Sequence, residues 1–144
     1  MASWSAEARQ FLEAHRVGHL ATAGADARPH VVPVCYALDD DALYVVADEK
    51  PKRRPPRLLK RLRNVRENPY AALVVDDYDD DWSRLAYLLV RGPATIVAAP
   101  AHAAALVRLR ARYAQYATMA LDDGERNPIL RLEPAHVTFW CAAR

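Results

Sequence analysis

Apolar positions spaced by three and four open the chain. Trp4, Ala8, Phe11 and Leu12, with His15, fall on one side of a helix that Ser3 or Ser5 can cap and that runs to about Arg16. The period then changes. Residues Gly18 to Ala23 are small or β-branched, the turn-forming Gly24-Ala25-Asp26-Ala27-Arg28-Pro29 follows, and a second apolar run covers His30 to Leu38, which predicts a β-hairpin. Pro33 has no N–H to donate to a ladder, so its strand is predicted to be an edge or to be bulged there. Asp39-Asp40-Asp41 makes a turn, and Ala42 to Ala47 reads as a third strand.

Further along, Asp48 to Pro56 holds three prolines among its last six residues and is predicted to be a loop. Leu58, Leu59, Leu62 and Val65 make the apolar stripe of a second helix, with Arg57, Lys60, Arg61 and Arg63 projecting elsewhere, and Asn68-Pro69 stops it. Tyr70 to Asp77 is predicted to be a strand. An acidic loop containing Asp79-Asp80-Asp81-Trp82 leads to a long strand region, Leu85 to Ala98, with a bend at Gly92-Pro93. Pro100 starts a third helix through about Tyr116, and a polar linker leads to a last strand pair, Ile129 to Leu132 and His136 to Cys141. Trp140, flanked by Phe139 and Cys141, reads as core. Short strands joined by hairpins indicate an antiparallel sheet curled into a barrel with helices at its rim. With no repeat and no internal linker, residues 1–144 form one domain.

Composition sharpens this picture at one place. The chain has 144 residues and a formal charge of +2, and a chain of this size buries roughly 68–70% of its unfolded surface without a disulfide or metal. Nine of the 20 bases and none of the 18 acids lie in residues 50–66, so that segment stands at +9 and the rest of the chain at −7. Such segregation points to an anion site; a solvated basic helix face is the other reading of the same residues. Glu7 and Glu13 stand where an export signal needs a basic and then an apolar run, and the longest uncharged stretch, Gly92 to Val107, is 16 residues and broken by prolines. A cytoplasmic protein is expected, with Cys35 and Cys141 as buried free thiols.

Several chemistries are missing. Four glycines at 18, 24, 92 and 124 build no phosphate-cradling loop. The five histidines are scattered, and Val17-Gly18 ends the first helix between His15 and His19, so no metal site is predicted. The acidic loop (Asp76, Asp77, Asp79, Asp80, Asp81) reads as a solvated turn. Ser3, Ser5 and Ser83 sit at a terminus and in that loop, which leaves no credible serine nucleophile. If the protein is an enzyme, a bound cofactor carries the chemistry. Lys50, Lys52, Arg57, Lys60 and Arg61 converge after the third strand, and Pro55 and Pro56 remove two backbone donors, which leaves anion recognition to side chains.

The run from Val17 to Lys52, then Asn64-Val65-Arg66-Glu67-Asn68-Pro69 leading into Ala72-Leu73-Val74-Val75, then Trp82 and Val90-Arg91-Gly92, resembles the pyridoxamine 5′-phosphate oxidase-like split-barrel superfamily. Within it, the chain is most similar to the branch of coenzyme F420-dependent (deazaflavin) oxidoreductases. The resemblance implies a mainly β fold with α, a six-stranded antiparallel split β-barrel of the FMN-binding type with flanking helices. It also implies a homodimer with cofactor sites at the interface. Carried onto this chain, His30, Val32, Pro33 and Val34 line the flavin-like ring, Lys50, Lys52, Arg57 and Arg61 hold the phosphate and tail, and Trp82 closes the site from the partner subunit.

The charge arithmetic bears on the cofactor. FMN ends in one phosphate, whereas the deazaflavin carries a phosphodiester, a lactyl group and several glutamates, and nine bases suit the longer polyanion. The expected reaction is hydride transfer from the reduced deazaflavin to an electron-poor conjugated small molecule, with Tyr36, His30 or solvent supplying the proton. An FMN-dependent oxidoreductase and a noncatalytic cofactor binder are the alternatives within this fold. A nucleic-acid binder would use the same basic helix on phosphates, against which the −7 body counts. No membrane partner is expected.

Overall fold

A computed structural model describes residues 4–48 and 59–143. The elements, in order, are α1 (Ala6–Ala14), β1 (Gly18–Ala23), β2 (Pro29–Val34), β3 (Ala37–Leu38), β4 (Leu43–Val46), α2 (Lys60–Glu67), β5 (Tyr70–Asp77), β6 (Ala86–Val97), α3 (Ala101–Arg112), β7 (Ile129–Leu132) and β8 (His136–Cys141), with 3₁₀ turns at Trp82–Arg84 and Ala114–Thr118. Ser5 caps α1, its Oγ accepting from the Ala8 N–H at 3.1 Å. All pairings are antiparallel, in the order β2-β1-β5-β6-β7-β4-β3, with β8 also on β6.

Two of the expected strands are interrupted, and both interruptions shape the barrel. The run His30 to Leu38 is not one strand: β2 pairs β1, β3 pairs β4, and Cys35-Tyr36 joins them. One chain path therefore lies at both ends of the strand order and closes the barrel. Pro33 sits on β2, whose second edge meets no strand among the described residues, as its missing N–H requires.

The second interruption falls between the two strands of the expected terminal pair, Ile129–Leu132 and His136–Cys141. β7 and β8 do not pair with each other; both run along β6, β7 on residues 94–97 and β8 on residues 86–91. Between the two ladders, Gly92 and Pro93 of β6 face Glu133, Pro134 and Ala135, a bulge of one residue. β6 runs through Gly92-Pro93 as one strand of 12 residues, and its ladder partner changes there from β8 to β7. Six strand paths result, of which two are broken, and this is the split barrel.

The core has two parts divided by β4, which is buried on both faces. Leu43 and Val45 point into the barrel with Leu20, Leu73, Leu88 and Leu132, closed by Leu12 of α1 and Leu62 and Val65 of α2. Tyr44 and Val46 point the other way, under Leu106 and Leu109 of α3 and beside Tyr113, Tyr116 and Ile129. Trp140 corrects its expected place. It faces outward opposite Tyr87, at a ring separation of 5.9 Å, and is 44% exposed, because strand alternation gives the inward position to Phe139. Cys35 and Cys141 are unpaired and half-buried, more accessible than the sequence implied. No helix among the described residues is long and apolar enough to cross a membrane.

The Asp39 turn is held electrostatically. Burial disfavours its charged form, but the Tyr44 hydroxyl (2.7 Å) and the Asp41 and Ala42 amides (both 2.8 Å) outweigh that and hold its pKa below the ordinary value. Its contribution to stability is present above the unfolded carboxyl range and is lost as pH falls through the native value. Asp39→Asn should therefore lose stability at neutral pH, by about 1 kcal/mol, and the deficit should shrink below pH 4 in denaturant titrations.

Candidate functional site

Where the chain path splits, a cleft opens. The β3–β4 ladder stops at Ala37↔Tyr44, and before that point the chain leaves β4 to join β1. The wedge between is a cavity of about 330 Å³ lined by Val17, Val32, Pro33, Val34, Cys35, Val45, Val46, Asp48 and Arg61. Its walls are apolar, and its three polar residues are a cation, a carboxylate and a thiol.

Arg61 reaches the cleft because α2 turns it inward. Of the four bases on α2, Lys60, Arg63 and Arg66 are exposed, whereas Arg61 is only 7% exposed. This differs from the expected split between an apolar stripe and an outward basic face: Asn64, also polar, is fully buried, its Nδ2 donating to Thr22 Oγ1 at 3.1 Å. Val32, Pro33 and Val34 line the cleft together with Arg61. His30 is not among its lining residues, and its Nδ1 is buried with no hydrogen-bond partner among the described residues. Trp82 lies on the 3₁₀ turn of the acidic loop and is 69% exposed. Lys50, Lys52 and Arg57 lie outside the described residues.

Tyr36 cannot supply a proton as expected. It is fully buried, and its hydroxyl donates to the Leu12 carbonyl at 2.6 Å at the end of α1. Burial above all pushes its pKa well above the ordinary value. Tyr36 belongs to the network that satisfies the last carbonyls of α1, together with Arg112, which donates to Leu12 O, Glu13 O and His15 O, and Tyr113, which donates to Arg16 O.

Sequence reasoning missed Asp48, Cys35 and Tyr116. Asp48 Oδ2 accepts from the Tyr116 hydroxyl at 2.5 Å across a separation of 68 residues. Tyr116 Oη is kept protonated, its pKa raised first by burial and then by Asp48. A polar residue ending the third strand was the one local signal for Asp48; no local signal existed for Tyr116.

The acidic loop is locally satisfied. Asp81 accepts from Ser83 N and Oγ, and Arg84 pairs with Asp79 and Asp81. Among the described residues no group of three or more His, Cys, Asp or Glu could hold a metal. A larger groove of about 830 Å³ runs between the end of β6, the start of α3 and residues 122–125. Three of its polar side chains are engaged within the fold, Asp122 with Arg110, Asp123 with the amides of Glu125 and Arg126, and His102 Nε2 with Asn127 O at 2.8 Å, while Arg66, Thr95 and Glu125 also line it. The smaller cleft, with apolar walls and a cation at its rim, is the better fit for a planar ring with an anionic tail.

Known proteins share this fold. The sequence profile of the family described as pyridoxamine 5′-phosphate oxidase matches residues 5–141. The 5a,11a-dehydrotetracycline/5a,11a-dehydrooxytetracycline reductase of Streptomyces rimosus is 36% identical over 67 residues, a match spanning 46% of this chain and 44% of that protein, under half its length. A solved structure described as an F420 reductase is 29% identical, with a TM-score of 0.65 over 90% of this chain and 94% of its own. A conserved hypothetical protein from Mycobacterium tuberculosis superposes with a TM-score of 0.74 at 22% identity, over 99% of this chain and 87% of its own.

Proposed function

Because this chain belongs to the pyridoxamine 5′-phosphate oxidase family, we propose that it is an oxidoreductase that binds coenzyme F420 and reduces an electron-poor conjugated small molecule. The observation that carries this reading is the apolar cleft at the barrel split, with the buried Arg61 at its rim and a +9 segment in the adjoining sequence. The likeness to an F420 reductase supports the deazaflavin over FMN, and the tetracycline reductase supports a conjugated acceptor.

When bound, the reduced deazaflavin supplies a hydride to the acceptor. Val32, Pro33 and Val34 would offer an apolar wall to its ring, and Val45 and Val46 of β4 also line the cleft. Arg61, with Lys50, Lys52 and Arg57, takes the phosphate and the anionic tail, each charge-assisted bond contributing roughly 1.5–3 kcal/mol. His30 Nδ1 offers a hydrogen bond to the ligand, and with Tyr36 committed to α1, His30 or solvent holds the proton that accompanies the hydride.

A second copy of the chain completes the protein. The strand registers place Val31, Ala21, Ala72, Val74, Leu89, Tyr87 and Trp140 together on the outer face of the β2-β1-β5-β6-β8 sheet. His19, Arg91, His136 and Thr138 share that face with them, a mixed surface whose apolar part a second copy would cover, while α1 and α2 close the inner face. Trp82 of the second copy would then close the cleft.

The reading is tested by titrating the protein with reduced and oxidised F420 and with FMN, following fluorescence quenching. Micromolar or tighter F420 binding, weaker FMN binding and turnover with a panel of enones and quinones are expected. Tighter binding of FMN replaces the deazaflavin by the runner-up cofactor, and binding without turnover makes the protein a cofactor carrier.

A further inference from the structure

Asp48 is out of place in a cleft that holds an anion. A carboxylate beside Arg61 repels a phosphate, so its presence among the lining residues asks for a ligand group that donates a hydrogen bond. Its Oδ2 is occupied by the Tyr116 hydroxyl, and Asp48 has no other partner among the described residues, which leaves Oδ1 uncommitted.

The carboxylate is also held in place before any ligand arrives. Tyr116 is 4% exposed and packs on the Tyr113 ring at 5.5 Å, while Arg110 Nε donates to its carbonyl at 3.0 Å. The residue preceding Asp48 is pinned on both sides. Ala47 N–H donates to Pro128 O at 2.9 Å, and Ala47 O accepts from Asn127 Nδ2 at 2.7 Å. Asn127 is 9% exposed, and its own carbonyl accepts from His102 Nε2. A carboxylate fixed in this way loses little freedom on binding, so its hydrogen bond is worth more than one from a loose surface acid.

We propose that Asp48 recognises a hydroxyl of the polyol chain that joins the ring of a flavin-like cofactor to its phosphate, and that Tyr116 is the residue that positions it. The proposal rests on the cofactor reading above. The apolar wall suits the ring and Arg61 the phosphate, and of the parts that join them only the polyol presents several O–H donors. Tyr116, whose hydroxyl burial and Asp48 keep protonated, holds one carboxylate oxygen at every working pH and so presents the other. A site built around an acceptor rejects a ligand that leaves the acceptor unpaired far more strongly than an apolar pocket rejects a missing methylene.

Two ligand pairs test this: riboflavin against lumiflavin, and the 5-deaza counterparts of both. In each pair the ring is the same and the polyol is present or replaced by a methyl group. The wild-type protein should prefer the polyol-bearing member by about tenfold or more in fluorescence titrations. Asp48→Ala should abolish the preference and Tyr116→Phe should cut it by about threefold or more, with ring-only affinity within about twofold of wild type in both. A preference unchanged in Asp48→Ala overturns the proposal, and so does an equal loss of affinity for ring-only and polyol-bearing ligands, which marks a merely structural role. If the wild-type protein binds F420 or FMN but shows no preference within either pair, the proposal fails alone. If it binds neither cofactor, the cofactor reading fails first and the proposal with it.

Discussion

Gly92→Ala should cost about 3 kcal/mol or more and lower the melting temperature by about 10 °C in calorimetry. A Cβ on Gly92 would lie 1.9 Å from the Glu133 carbonyl oxygen and 3.0 Å from the Ala135 nitrogen. Both are backbone atoms, so no side chain can swing aside. They belong to the bulge, where Ala135 N–H donates to Glu133 O and Glu133 N–H donates to Pro93 O, each at 2.9 Å. Relief requires the bulge to move, and the bulge is what lets one strand of the chain serve two ladders on β6. Gly92 itself has no left-handed φ, so the glycine is there for space and not for its backbone freedom. Gly124→Ala is the matched control. Its nearest neighbour would be His102 Cδ2 at 3.6 Å, an ordinary contact, and it should stay within about 0.5 kcal/mol of wild type. Equal stability of the two variants would mean that the crossing at Gly92 is looser than described.

Leu89→Arg should convert the proposed dimer into a folded monomer. Leu89 stands on the outer sheet face between Val74 of β5 and Thr138 of β8, and its neighbours Leu88 and Val90 are the ones buried in the core. The substitution therefore leaves the barrel interior unchanged. At a two-fold interface every change occurs twice, and two unpaired charges in an apolar patch should weaken association by about 100-fold or more. Sedimentation velocity at micromolar protein should read a dimer for wild type and a monomer for the variant, with unaltered far-ultraviolet circular dichroism. A monomeric wild-type protein would remove the second copy from the proposed site, and with it the closing role of Trp82. F420 titration of the Leu89→Arg monomer then separates the two contributions: affinity retained by the monomer belongs to Arg61 and the β2 wall, and affinity lost belongs to the partner.

Much of the fold was legible along the chain. Pro33 marked the edge strand because it has no N–H, and the apolar run His30 to Leu38 after a turn-forming segment marked it as extended. The basic segment was visible from charge alone, and four of the proposed contacts, Val32, Pro33, Val34 and Arg61, border one cavity. What local pattern could not supply was direction. Trp140 shares its parity on β8 with His136 and Thr138, but Tyr87 and Leu89 of β6 are apolar at the facing positions, so neighbouring residues alone did not give its side. Beside Phe139 and Cys141, Trp140 reads as core, but α1 and α2 close the opposite face and leave it 44% exposed. Arg61 falls off the apolar stripe of α2 and is nevertheless buried, because the inward side of α2 is set by the barrel it packs on.

The sequence by itself determined the period of each element, the positions of its turns and the segregation of charge, all of which follow from neighbouring residues and the geometry of one stretch of backbone. Only the tertiary structure decided that the two pieces of the 29–38 path end at opposite sides of the sheet, that a cleft opens between them, and that Tyr116 reaches Asp48 across 68 residues. Those pairings join segments with no local signal for each other. They are selected because closing the barrel buries the apolar faces of distant strands at once, and the position of the cleft follows from where that closure is incomplete.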